Sequence, residues 1–227
     1  MIQLTDIRKS YGSLEVLKGV TLSVRPGLVT SIVGPSGAGK TTLLQIMGSL
    51  DRADSGRVVY DDVDLGTLSD RRLSSFRNRS IGFVFQQHCL LAEFTACENV
   101  AIPAIIGGMG KRQAMAKAAQ VLQTLGLGDR LGHRPAELSG GEAQRTAVAR
   151  ALINDPMVIL ADEPSGSLDS TNRRQLHNLF FELRDSLNTT FVIVTHDENL
   201  AADSDCVVHL ADGTVTRIDR KENTEQK

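Results

Sequence analysis

The sequence has no tryptophan, 3 cysteines, 6 prolines and 4% aromatic residues. It also lacks a long apolar run: the longest stretch free of Asp, Glu, Lys and Arg, residues 26–39, is 14 residues. A spanning helix needs about 20 apolar residues, so no segment is expected to cross a bilayer by itself. Cys89, Cys97 and Cys206 are odd in number and lack motif spacing. That predicts reduced thiols in a cytosolic protein rather than a disulfide frame, a metal centre or a thiol nucleophile. An excess of either charge is missing too. The 25 Lys and Arg nearly balance 27 Asp and Glu, for a net charge of −2, unlike the basic footprint of a nucleic-acid binder. The opening Met1-Ile2-Gln3-Leu4-Thr5-Asp6 does not follow the basic-then-apolar order of a signal peptide, so a cytosolic location is expected.

What remains is an ordinary globular composition, 41% hydrophobic and 23% charged over 227 residues. Such a chain suits one compact domain that buries about 70–75% of its unfolded surface without staples. Val20, Leu22 and Val24 alternate with polar residues at the period of a half-buried strand, and Ile2, Leu4, Val16 and Leu17 belong to the same strand-rich start. Residues 29–33 form a short apolar run that leads through glycines to a helical pattern at Leu43, Leu44, Ile46 and Met47. Residues 57–60, before Asp61-Asp62, read as one arm of a hairpin. Ala114, Met115, Ala118, Val121, Leu122 and Leu125 mark a helix that Gly126 ends, and Ala143, Ala147, Val148, Ala151 and Leu152 mark another. Residues 157–161 and 191–194 are nearly all apolar, as in strands covered on both faces. Leu176, Leu179, Phe180, Leu183 and Leu187 lie between them on one helical face, which predicts a βαβ unit and a parallel sheet. Asp212-Gly213 is a two-residue hairpin signal, and the chain from about Arg220 is expected to be a frayed polar tail.

Gly34-Pro35-Ser36-Gly37-Ala38-Gly39-Lys40-Thr41 fits the phosphate-loop pattern G-x-x-x-x-G-K-[ST]. The glycines let successive N–H groups point at phosphate oxygens. Lys40 would reach the β- and γ-phosphates, Thr41 would ligate Mg²⁺, and the following helix adds its positive end. Chance matches in a chain of this length are roughly one per hundred. Asp162 closes an apolar run at the carboxyl end of a strand, where it would hold Mg²⁺ through water, and Glu163 would orient or deprotonate the attacking water. An Asp-Glu pair alone would more commonly be a strand-end cap. Ser139-x-x-Glu142 is a capping box, and Gly140-Gly141 would also let a phosphate approach that helix start. One phosphate loop with two helix N-termini suited to phosphate suggests a dimer in which each Ser139 faces the other subunit's nucleotide.

The phosphate loop, Gln86, residues 138–142, Asp162-Glu163, Ser167-Leu168-Asp169 and Thr195-His196-Asp197 stand in the order found in ATP-binding-cassette ATPases, which this chain resembles from about Leu4 to Gly213. The resemblance implies an α/β fold: a P-loop NTPase (RecA-like) parallel-sheet core with an antiparallel β subdomain and an inserted α-helical subdomain. The expected division is a core at 1–87 and 151–227 with a mostly helical unit at 88–150. It implies Mg²⁺-dependent ATP hydrolysis in a head-to-tail homodimer bound to integral membrane permease subunits, peripheral on the cytoplasmic face of the inner membrane, with no nucleic acid involved. By the same resemblance Tyr11 stacks on adenine, and Gly34, Pro35, Ser36, Gly37, Ala38, Gly39, Lys40, Thr41 and Thr42 cradle the phosphates. Ser139, Gly140, Gly141, Glu142 and Asp169 would act in trans, Thr41, Gln86 and Asp162 on the metal, and Glu163, His196, Gln86 and Lys40 in catalysis. Taken alone, Tyr11 would read as a strand-edge aromatic, Gln86 as a surface amide and His196 as a strand-end histidine.

Gln86-Gln87-His88-Cys89-Leu90-Leu91, Phe94-Thr95-Ala96, Glu98-Asn99-Val100 and Pro103 resemble the lipoprotein-releasing branch of that family, with macrolide-export and cell-division branches nearby. His133-Arg134-Pro135-Ala136-Glu137-Leu138 looks like the same branch's approach to the signature. Leu90, Leu91, Phe94 and Ile102 then either form an apolar docking patch for a membrane subunit or pack inside the helical unit. Ser165-Gly166-Ser167 departs from the usual Thr-Gly-Asn, and Ala143 stands where a longer polar side chain is common. The Ser165 hydroxyl keeps the chemistry of the usual threonine, so hydrolysis is expected. A non-transport regulator with ATP-dependent docking is the second functional class. A ribosome- or DNA-acting cassette is the third, and neither a second cassette nor a coiled-coil insert supports it.

Overall fold

The computed structural model describes residues 1–221. The expected frayed tail lies outside the described residues beyond Lys221, whereas Arg220 is the last residue of a strand.

Two sheets make the frame. A four-stranded antiparallel sheet, order β2-β1-β4-β5, is built from β1 (Ile2–Tyr11), β2 (Leu14–Val24), β4 (Ser55–Tyr60) and β5 (Val63–Asp64). Asp61-Asp62 turns β4 into β5, with Tyr60 opposite Val63. The second sheet, order β10-β9-β3-β8-β7-β6, contains β3 (Val29–Val33), β6 (Ile81–Phe85), β7 (Val158–Asp162), β8 (Thr190–Val194), β9 (Cys206–Ala211) and β10 (Thr214–Arg220). Its first five members in that list pair in parallel, and β10 returns antiparallel to β9 through Asp212-Gly213.

Period-two alternation explains why β7 and β8 read as unbroken apolar runs. Ile159, Ala161, Phe191 and Ile193 face a core shared with helices, while Val158, Leu160, Val192 and Val194 face a second core on the opposite side. The second core joins the sheet to α1 (Lys40–Met47) and to the antiparallel sheet through Leu43, Met47, Ile7 and Val20. The first receives α3 (Ala96–Ile106), α4 (Lys111–Thr124), α5 (Gly140–Leu152) and α6 (Ser170–Leu187). Alanines 101, 104, 114, 118 and 149 in this core leave little side-chain bulk between the helices. Two helices escaped the sequence pattern. The polar α2 (Asp70–Ser80) buries Leu73, and α7 (Glu198–Asp203) is a six-residue turn that buries Leu200.

The segment that carries the branch resemblance is shaped by its own polar residues. Thr95 and Glu98 form the capping box of α3. The fully buried Asn99 amide accepts from Leu91 N and donates to the carbonyls of Leu91, Phe94 and Thr95. The resulting turn leaves Leu91 and Phe94 exposed, with Leu90 and Ile102 half-buried. Thr95→Ala removes the cap and is expected to lower stability by about 1 kcal/mol, read as a lower denaturation midpoint at unchanged m-value.

Candidate functional site

Because β3, β6, β7 and β8 are parallel, the segments that follow them leave at one edge of the sheet. Those segments are 34–39, Gln86 onward, Glu163 onward and 195–197, so four of the expected motifs share that edge.

The loop at 34–39 curls over the start of α1. Gly34 has φ 155°, and a Cβ there would lie 1.9 Å from the Leu210 carbonyl oxygen of β9, so only glycine fits. Lys40 Nζ reaches back to donate to the Gly34 and Pro35 carbonyls, both at 2.9 Å. Its ammonium is thereby held at the loop itself. Thr41 Oγ1 donates to Asp162 Oδ1 at 3.2 Å. Burial, with the adjacent Glu163 adding to it, pushes the Asp162 carboxyl above its ordinary value despite the Thr41 hydrogen bond. A divalent cation beside a hydroxyl and a half-buried carboxylate would offset that penalty, and an all-oxygen donor set suits Mg²⁺. Phe85 pairs with Asp162 across the β6–β7 ladder, which places Gln86 one residue beyond it. The Gln86 carbonyl accepts from Ser167 Oγ at 3.4 Å.

Glu163 stands in the left-handed region at φ 46°, with its N–H donating to the Val194 carbonyl at 2.9 Å. Its Oε2 lies 2.7 Å from His196 Nδ1; the Glu163 side chain is 22% exposed and that of His196 71%. A carboxylate that is mostly enclosed thus ends on an imidazole open to solvent.

Tyr11, 49% exposed, extends from β1 beside α1. Its hydroxyl donates to Asp51 Oδ2 at 2.6 Å, and Lys9 Nζ sits 5.0 Å from the ring centroid. The Asp51 hydrogen bond, with burial, raises the Tyr11 phenol above its ordinary value. Asp51 carries no sequence signal, because it is forty residues away in a loop. Thr42 follows Thr41 on the first turn of α1.

The signature residues are built as a helix start elsewhere. Ser139 caps α5: its Oγ accepts from Glu142 N at 3.3 Å while Glu142 Oε2 accepts from Ser139 N at 2.8 Å. Arg130 Nε donates to the other Glu142 oxygen at 2.8 Å. These hydrogen bonds, the backbone one from Ser139 first, lower the Glu142 carboxyl from 4.5 to about 2. A depressed folded-state pKa adds stability above pH 4.5 that is lost as pH falls towards 2. Glu142→Gln should therefore be less stable than wild type near pH 7, with the gap in unfolding free energy closing as acid titrations approach pH 2. Gly141 packs so closely on α6 that a Cβ would lie 2.3 Å from Asn172 Oδ1. Asn172 Nδ2 in turn donates to Asp169, whose carboxylate caps α6 and is lowered by those hydrogen bonds. Gly140, Gly141 and Asp169 are thus neighbours. Among the described residues no hydrogen bond or ion pair joins 139–142 to 34–42.

Sequence reasoning missed three further links. Arg173 on α6 donates to the Leu168 carbonyl and lies 3.6 Å from Asp197. His177 on α6 pairs with Ser165. Arg150 on α5 holds the carbonyls of His88 and Cys89, two successive left-handed residues, and burial lowers its guanidinium below the ordinary value. Helix spacing relative to a loop was the available signal for the first two. All three thiols are free, Cys97 and Cys206 buried and Cys89 exposed.

Residues 17–166 match the family model described as ABC transporter. The chain is 60% identical over 217 residues to the lipoprotein-releasing system ATP-binding protein LolD of Bacteroides thetaiotaomicron, covering 96% of this chain and 100% of that one. It is 57% identical to the protein of the same name from Porphyromonas gingivalis, over 94% of this chain and 97% of the other. Among solved structures, a dimeric post-hydrolysis ATP-binding cassette bound to ADP and Pi superposes with a TM-score of 0.88 at 38% identity, covering 97% of this chain and 98% of that one. A dimeric bacterial ABC transporter cassette gives 0.89 at 39% over the same shares.

Proposed function

Because this chain belongs to the ABC transporter family, we propose that it is the ATP-hydrolysing subunit of a membrane complex that releases lipoproteins from the inner membrane. The observation that carries the ATPase reading is the Glu163–His196 pair, 2.7 Å apart, at the sheet edge that also bears the phosphate loop. The full-length relatives named for lipoprotein release support the cargo.

In this reading the N–H groups of 34–41 and the Lys40 ammonium bind the phosphates, Thr42 extends the cradle and Tyr11 offers its half-exposed ring to the base. Thr41, Gln86 and Asp162 would hold Mg²⁺, which when bound screens the charge of the phosphates. Glu163 orients water and takes its proton, and His196, tethered to Glu163, faces the same space. A second copy, docked head to tail, would bring its Ser139, Gly140, Gly141, Glu142 and Asp169 to the other side of the nucleotide. That arrangement accounts for a signature helix start that is fully formed yet unconnected to its own phosphate loop.

Permease contact is supported by a cleft of about 500 Å³ between the sheet and the helical unit, lined by Leu50, Phe83, Cys89, Pro103, Ile106 and Arg150 among others. Ile106 and Leu50 are exposed apolar side chains on its rim. Among the described residues no helix is long and apolar enough to cross a membrane. The test is affinity purification of Glu163→Gln from detergent-solubilised membranes with ATP. Integral membrane proteins with a large extracytoplasmic domain and bound lipoprotein are expected. Recovery of division proteins or of another permease would leave an ATPase with different cargo, and recovery of no membrane protein would end the transporter reading.

A further inference from the structure

Asp169, the N-cap of α6, stands at four-residue spacing from Arg173 and His177 within the helix, which sets the three along one face. Arg173 and His177 each grip a segment that bears an expected catalytic residue. Asp169 ends the turn that begins at Glu163, and Arg173 holds the Leu168 carbonyl of that turn and Asp197, the neighbour of His196. His177 Nε2 lies 3.1 Å from Ser165 Oγ, two residues after Glu163. Both members of this last pair are enclosed, Ser165 at 4% and His177 at 8% exposure.

We infer that His177 is a positioning residue for ATP hydrolysis: through the Ser165 hydroxyl it fixes the turn on which Glu163 stands. The inference rests on Glu163 being the base. The physical reason is the conformation of Glu163. A left-handed non-glycine residue costs about 1–3 kcal/mol and persists only where its surroundings over-determine it. The turn at 163–168 closes on itself through Gly166 N to the Glu163 carbonyl and Leu168 N to the Ser165 carbonyl, both at 3.1 Å. Those bonds set its shape, whereas the Ser165–His177 bond anchors it to a rigid helix that is packed into the core through Leu176 and Phe180. Burial keeps His177 towards the neutral form, against the opposing pull of Asp197 and Asp203 and with Arg173 adding to burial. An imidazole and a hydroxyl can share one hydrogen in either tautomer, so the link survives the choice of ring nitrogen.

The test compares kcat and KM for ATP in the full chain carrying His177→Leu, Ser165→Ala, both together, or Ser165→Thr. Each of the first two is expected to lower kcat about tenfold with KM nearly unchanged, the size of one hydrogen bond expressed in the transition state. The double variant should fall no further than the worse single one, and Ser165→Thr should restore the rate. Wild-type kcat in His177→Leu, or single losses that multiply to about a hundredfold in the double variant, would overturn the inference. If His177→Leu does not fold, equal kcat for Ser165→Ala and Ser165→Thr overturns it instead. Glu163→Gln is measured alongside. Hydrolysis by that variant at the wild-type rate removes the base reading, whereas an inactive Glu163→Gln beside unaffected Ser165 and His177 variants removes the positioning role alone.

Discussion

Glu163→Gln is expected to lower ATP hydrolysis on the order of 10³-fold while ATP binding stays close to wild type, the range for losing a positioned general base. The amide has almost the same shape as the carboxylate and can still accept from His196, and the backbone bond to the Val194 carbonyl is untouched. The turn should therefore keep its conformation, and what disappears is the capacity to take a proton from water. Steady-state phosphate release and nucleotide titration separate the two quantities. A large rise in the ATP dissociation constant, with kcat preserved at saturation, would place Glu163 in binding instead. The prediction also makes this variant the natural bait for membrane partners, because a bound nucleotide that is not hydrolysed would hold the two copies together.

Lys40→Ala should fail one step earlier. The ammonium is already held at the loop by the Gly34 and Pro35 carbonyls, so little side-chain freedom is left to lose when it turns to a phosphate. Removing a charge-assisted hydrogen bond of about 2–3 kcal/mol predicts ATP affinity about 30- to 150-fold weaker, with hydrolysis lost at ordinary ATP concentrations. Thermal stability without nucleotide should change little, since the lysine contacts only the loop it serves. The contrast is diagnostic: Glu163→Gln is stabilised against unfolding by ATP, and Lys40→Ala is not. Equal stabilisation of the two variants by ATP would contradict the assignment of Lys40 to phosphate binding.

Much of this site was legible because each motif is a contiguous run whose local backbone does the work. The phosphate loop is recognisable from its own eight residues, and the capping box of Ser139 and Glu142 forms within one turn of helix. The apolar strands ending at Asp162 and Val194 were visible because burial on both faces leaves little room for polar residues. Helix α2 was invisible for the opposite reason. It lies on the surface, so Leu73 and Phe76 are too few to mark a face. Helix α7 is shorter than two turns and owes its start to the Asp197 cap. The Asn99 amide shows a third case: a residue read as part of a branch pattern serves first to shape the turn beneath Leu91 and Phe94.

By itself the sequence determined the ATPase family, the parallel βαβ core and the identity of nearly every candidate phosphate, metal and proton-transfer group. These depend on residue type and short spacing, which covalent order preserves. The tertiary structure decided which groups meet: Thr41 with Asp162, Tyr11 with Asp51, Glu163 with His196, and Ser165 with His177. Those pairs are separated in sequence by 12 to 121 residues. Three of them come together because parallel strand pairing sets the segments after β3, β6, β7 and β8 on one edge while α6 packs behind them, and Tyr11 meets Asp51 because the end of β1 is hydrogen-bonded to the loop that joins α1 to β4.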